Sequence, residues 1–162
     1  IDPSLWCPQA ADVASELPTL AGASGADVEM QSKDAPGGAR MMRLQAWSNA
    51  DASQYVDGVI EAARLCDGIE WTDEIQVTVS NDIIDERQIG DASVSWMTRI
   101  IPPPTTQKDK FESVGRTTVA RIGSIVMVLQ IGDANWTGTT EPLDEDQWWS
   151  IVEAAAKKLQ HL

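Results

Sequence analysis

Catalysis needs groups that move protons, electrons or metal ions, and this chain of 162 residues is sparing with them. Its single histidine, His161, is the penultimate residue. It is a poor candidate for the positioned imidazole that a Ser-His-Asp or Cys-His arrangement requires. The two cysteines, Cys7 and Cys66, are too few for a four-ligand zinc site. They are either two buried thiols or one disulfide. Asp82, Asp85 and Glu86 are close in sequence but lack the Asp/Asn-Gly spacing of a calcium loop, so they read as a solvated turn. Gly37-Gly38 is not followed by a phosphate-binding helix pattern and reads as a turn. No catalytic residue, metal ligand or cofactor is assigned. A carboxylate-dependent hydrolase stays as the least favoured function, because with 25 acidic residues some pair lies at almost any distance.

What remains is recognition. Gly123-Ser124 sits between two β-branched runs and reads as a two-residue hairpin turn. The turn pairs Ile122 with Ile125, Ala120 with Met127 and Thr118 with Leu129 on one face. It pairs Arg121 with Val126, Val119 with Val128 and Thr117 with Gln130 on the other. Strands apolar on both faces belong inside a sheet. If helices cover the first face, Val119, Val126 and Val128 form an apolar patch beside Arg121 on the second, a patch of a kind that soluble monomers rarely expose without use. With Trp96 or Arg99 from a neighbouring strand, this is the candidate ligand-binding surface. Period-two alternation lets only one of Trp96 and Arg99 join Arg121. Such a surface suits an anionic amphiphile, its head group on the arginine. The alternative is that a helix covers this face too and Arg121 pairs with a carboxylate.

The other elements follow from periodicity. Cys7-Pro8 opens a short helix that Pro18 ends. Val28 to Gln31 and Arg40 to Trp47 alternate as two strands around an Ala-Pro-Gly-Gly turn and are expected to pair antiparallel. Ser48 to Leu65 carries a helical stripe of Ala52, Tyr55, Val56, Val59, Ile60 and Ala63, with Asp51 and Gln54 resembling a capping box. Glu70 to Ser80 and Asp91 to Ile101 read as strands, and Asp144 begins a final amphipathic helix containing Trp148, Val152, Ala155 and Leu159. Among the seven tryptophans, Trp6, Trp71 and one of Trp148 or Trp149 are assigned to the core. The expected architecture is one α+β domain over residues 1–162: a central, largely antiparallel sheet of about six strands with three helices against one face.

A net charge of −13 without a basic stripe argues against nucleic acid and against anionic lipid surfaces. No apolar run is long enough to span a bilayer. The chain opens Ile1-Asp2-Pro3, which is expected to be a processed or trimmed start, leaving room for a preceding membrane anchor. Asn135-Trp136-Thr137 fits a glycosylation sequon, a pattern common by chance.

The element order resembles the PknH-like sensor domain family: the extracellular sensor domain of a mycobacterial serine/threonine kinase and related actinobacterial lipoproteins. The resemblance rests on Cys7, on Ala62-Ala63-Arg64-Leu65-Cys66, on the hairpin and on the closing helix. It implies a location outside the cell membrane, a cleft for an unidentified ligand and disulfide bonding, here between Cys7 and Cys66. Members often carry a second cysteine pair, which this chain lacks. The expected function is an extracytoplasmic ligand- or partner-binding domain, non-catalytic and monomeric. The alternative is an envelope lipoprotein that carries or presents an apolar molecule.

Overall fold

Gly123 adopts φ +60 and reverses the chain between β6 (Ser113–Ile122) and β7 (Ile125–Ala134). The left-handed backbone is one that glycine takes without a Cβ clash. The hairpin has the expected register, with Ile122 opposite Ile125, Ala120 opposite Met127 and Val119 opposite Val128. The structure is a computed structural model describing residues 7–18, 24–32, 40–48, 50–73, 77–84, 87–101, 103, 113–134 and 144–161. Trp6, the glycosylation sequon, Asp85 and Glu86 lie outside the described residues.

The hairpin is the centre of a seven-stranded antiparallel sheet, ordered β1-β2-β7-β6-β5-β4-β3. β1 (Ser24–Ser32) pairs with β2 (Arg40–Ser48), and β2 lies beside β7. On the other flank, β5 (Ala92–Ile101) pairs with β6. The expected strand from Glu70 to Ser80 is two strands, β3 (Ile69–Thr72) and β4 (Thr78–Ile83), which pair antiparallel and raise the count from about six to seven. Asp73 makes the reversal: its N–H donates to the Val77 carbonyl (3.0 Å), and its carboxylate accepts from the Val77 N–H (2.9 Å). An aspartate that bonds the backbone a few residues on mimics a turn and interrupts an alternating run.

Helices pack on both faces rather than one. A 3-10 turn (Pro8–Ala10) leads into α1 (Ala11–Glu16), which lies with α2 (Ala52–Cys66) on the face bearing Val94, Trp96, Val119, Val126 and Val128. α3 (Glu145–Leu159) covers the opposite face, where Trp148, Trp149 and Val152 meet Ala120, Met127, Leu129 and Ile131. Both tryptophans of α3 are buried, so the helix presents a wider apolar face than one tryptophan implies. The reason for two-sided cover is in the hairpin: strands apolar on both faces need an apolar partner on each. The fully buried valines each contribute about 1.5–3 kcal/mol through burial.

Local chemistry fixes the helix ends. Asp144 caps α3, its carboxylate accepting from the Asp146 N–H at 3.0 Å. Asp51 stands at the N-cap of α2 without a side-chain cap bond, so the expected capping box does not form. Gly58 lets α1 approach α2, because a Cβ there would run into the Leu17 side chain. Cys7 and Cys66 form a disulfide with a Cα–Cα distance of 5.7 Å, both cysteines being wholly buried.

Candidate ligand-binding groove

α2 covers only part of its face of the sheet. It follows β2, whose last residue, Ser48, lies opposite Ile125 beside the hairpin turn. It ends against β4, where Asp67 accepts a hydrogen bond from the Ile83 N–H at 2.8 Å. Under it the valines are sealed. Past Thr117 and Trp96, which are still buried, the cover stops, and the same face continues as Gly115 on β6, Gln130 and Gly132 on β7, and Thr98 and Ile100 on β5. Together with Val79, Arg43 and Glu29 these residues line an open groove of ≈ 520 Å³.

The groove floor is built by a missing pair of side chains. Gly115 and Gly132 stand directly opposite each other. Nothing lies within 4 Å of a Cβ placed at Gly132, whereas one at Gly115 would sit 3.3 Å from the Ile131 carbonyl oxygen. A ligand can therefore rest on peptide backbone between walls of side chains. Trp96, 3% exposed, is the divider: it packs into the α2 core and also lines the groove.

The rim on β1 and β2 is ionic. Arg43 donates from Nε to Asp27 Oδ1 at 3.1 Å and pairs with that carboxylate through Nη2, and Gln45 donates to Asp27 Oδ2 at 2.9 Å. The hydrogen bonds from Arg43, and after them the one from Gln45, hold the Asp27 carboxyl below the usual aspartate range. Glu29 faces Arg43 across the strand pair. Arg43 is thus held in place at the groove edge, and the neutral polar residues among the lining are Thr98, Ser113, Thr117 and Gln130.

The residues expected to form a site are distributed differently from the expectation. Val119, Val126 and Val128 are 0% exposed beneath α2, so they are core and not an open patch. Arg121 shares their face but turns to Asp91, 3.7 Å from its carboxylate, which also accepts from the Gly123 N–H at 2.8 Å. Trp96 is on this face; Arg99 is exposed on the other, the face on which Ser95 bonds Thr118 at 2.7 Å. The site residues missed from sequence are the polar and glycine continuation of the valine rows. Extending the hairpin register past Thr117 and Gln130 brings Gly115 opposite Gly132, and that was the available signal.

The fold has a solved counterpart. It is similar to the crystal structure of the extracellular domain of PknH from Mycobacterium tuberculosis, with a TM-score of 0.53 and 11% sequence identity, covering 95% of this chain and 77% of that one. At this identity the relationship is one of fold. No protein-family model matches the chain, and no curated protein matches it in sequence. Among the described residues no helix is long and apolar enough to cross a membrane, and no cluster of three or more His, Cys, Asp or Glu side chains is placed to hold a metal ion.

Proposed function

We propose that residues 1–162 form one extracytoplasmic, sensor-like domain that binds a ligand or partner without transforming it, and that the groove is the recognition surface. The observation that carries this reading is an open groove on the sheet in which apolar walls from Val79, Trp96 and Ile100 and a glycine floor are edged by Thr98, Thr117, Gln130 and Arg43. Such a surface offers placed donors and acceptors for an orienting interaction. An envelope lipoprotein that carries an apolar molecule calls for a deep, enclosed cavity, whereas this groove is open to solvent. A hydrolase calls for converging acid and base groups, and among the described residues Glu29 is the one carboxylate that lines the groove. The extracytoplasmic location is supported by the Cys7–Cys66 bond, since disulfides persist in oxidising compartments, and by the fold of an extracellular domain. Attachment through a segment preceding Ile1, as in a receptor or lipoprotein, completes the proposal.

The test uses isotope-labelled protein titrated with envelope glycan fragments and short-chain phospholipids. A binder is expected to shift the amides of Thr98, Thr117 and Gln130. Gly132→Trp, which has open space to enter, fills the groove and is expected to abolish those shifts while leaving the rest of the spectrum intact. A panel that leaves the groove amides unmoved, or a binder indifferent to Gly132→Trp, rejects the groove.

A further inference from the structure

The two edges of the sheet are unlike. One ends on β3, a strand of four residues; the other ends on β1, a strand of nine. A bare edge offers unpaired N–H and C=O groups to any extended chain that meets it, and proteins blunt such edges by shortening them or by adding lysine, proline or a bulge. β3 is blunted by its length. β1 has none of these guards: Ser24–Ser32 contains no lysine or proline, and its pairing with β2 runs without a bulge from Ser24 opposite Ser48 to Ser32 opposite Arg40. Among the described residues no backbone group pairs with its outer side. Every second residue of β1 therefore directs its N–H and C=O away from the sheet.

The side chains of β1 follow the same alternation. Ala26 lies opposite Ala46 and Val28 opposite Leu44, and these rows continue inward to Met127 and Leu129 beneath α3. α3 seals the inner end of the rows; at the outer end Val28 is 48% exposed. On the other face of the strand Asp27 and Glu29 are exposed. Arg43 bonds Asp27, and Glu29 has no ion pair among the described residues. The charges decide which occupant is excluded. Antiparallel pairing of two copies centred on Val28 sets Asp27 of each against Glu29 of the other, and like charges directly opposite are destabilising. A second copy of the chain is therefore a poor partner for this edge, and a basic strand is a good one.

We propose that β1 is a docking edge that takes up an extended segment of a partner protein as a further strand of the sheet, with apolar residues beside Ala26 and Val28 and basic residues beside Asp27 and Glu29. Strand addition draws its affinity from main-chain hydrogen bonds and its specificity from alternate side chains. The incoming apolar residues extend the rows that α3 begins, and the incoming cations meet the carboxylates that keep two copies apart. The edge is distinct from the groove: Glu29 stands at the groove rim, whereas Ala26 and Val28 belong to the opposite face of the sheet.

The probe is an end-blocked peptide, Lys-Val-Lys-Val-Lys-Val-Lys, titrated into the isotope-labelled chain at neutral pH. Saturable shifts are expected at the amides of residues 25–31, with slowed hydrogen exchange at alternate positions among them. Two control peptides are expected to bind more weakly by about tenfold or more: one with glutamate in place of lysine, and one N-methylated at two adjacent central residues, which removes donors from both of its edges. Val28→Lys changes an exposed side chain outside the groove. It is expected to keep the wild-type melting temperature and to weaken the peptide by about tenfold. Gly132→Trp is expected to bind the peptide as wild type does, which separates the edge from the groove. The free chain is expected to sediment as a monomer; a dimer that Val28→Lys dissolves would give the edge to a second copy and overturn the proposal. Equal binding of either control peptide, no saturable shift in β1, indifference to Val28→Lys, or loss of binding in Gly132→Trp overturns it as well.

Discussion

Val128 and Gly132 belong to one face of one strand, four residues apart, and live in different environments. Val128 is 0% exposed beneath α2; Gly132 is half-buried on the floor of an open groove. The neighbouring strand repeats the change from Val119 through Thr117 to Gly115. Side-chain chemistry therefore follows the helix above the sheet and not the sheet alone. Where α2 lies overhead the strands carry valine, and where it ends they carry threonine, glutamine and glycine. An apolar row marks what is covered, and the change of composition along that row marks where cover stops.

The sharpest way to break this contrast is to change one residue on each side of it. Val128→Asp places a carboxylate under α2 with no partner, and should lower stability by more than about 4 kcal/mol or prevent folding. Gly132→Ala adds a methyl group to open space on the same face, and should be neutral or mildly stabilising, within about 1 kcal/mol. Urea unfolding of the two variants measures both. Comparable losses would erase the boundary between sealed and open halves.

Next in size is the clamp on the sealed half. The disulfide ties the N-terminal turn to the end of α2 across 59 residues of sequence. Chain-entropy bookkeeping gives about 4 kcal/mol for a loop of that size as an upper value. The double variant Cys7→Ser, Cys66→Ser should lose about 2–4 kcal/mol in chemical denaturation. It should also expose the amides of α2 to hydrogen exchange before those of β6 and β7. Uniform loosening of α2 and the sheet together would show that the clamp serves the whole fold.

The smallest effect belongs to the open half. Asp27 titrates below the ordinary aspartate range because Arg43 and Gln45 bond its carboxylate. A folded-state pKa below the unfolded one means that the contribution is complete above the unfolded value and fades as pH falls through the folded one. The pair is solvent-exposed, so Asp27→Asn should leave the melting temperature at neutral pH nearly unchanged and flatten the wild type's decline in acid. An acid limb identical in wild type and variant would remove Asp27 from the account.

Much of this fold was legible because its signals are local. Gly123-Ser124 with alternating valines on either side fixed turn, register and central position together. The stripe from Ala52 to Ala63 showed α2, and the cysteine at its end showed where a bond could form. Two features were not legible, for physical reasons. The run from Ile75 to Val79 alternates like one strand, and only the bond between Asp73 and Val77 shows that the chain has already turned. Alternation also says which residues share a face, not which helix lies over it. The valines beside Arg121 therefore stood open to two readings, a bare patch or a face under a helix with Arg121 paired to a carboxylate, and the second is what α2 and Asp91 provide. The groove was overlooked because glycine and threonine in a strand carry no apolar signal.

The sheet order has a consequence for how the chain comes to rest. β2 meets its inner neighbour β7 only when Ser48 is brought to Ile125, across nearly half of the polypeptide. Bringing distant segments together loses chain entropy before any contact forms, and folds dominated by such pairings form slowly. The β1–β2 ribbon has too little apolar surface to persist alone, as isolated two-stranded ribbons generally do. The β2–β7 seam is thus the one strand pairing of the described sheet that joins segments distant in sequence. A polypeptide with this topology can close its sheet only after β7, in the final third of the chain, has been made.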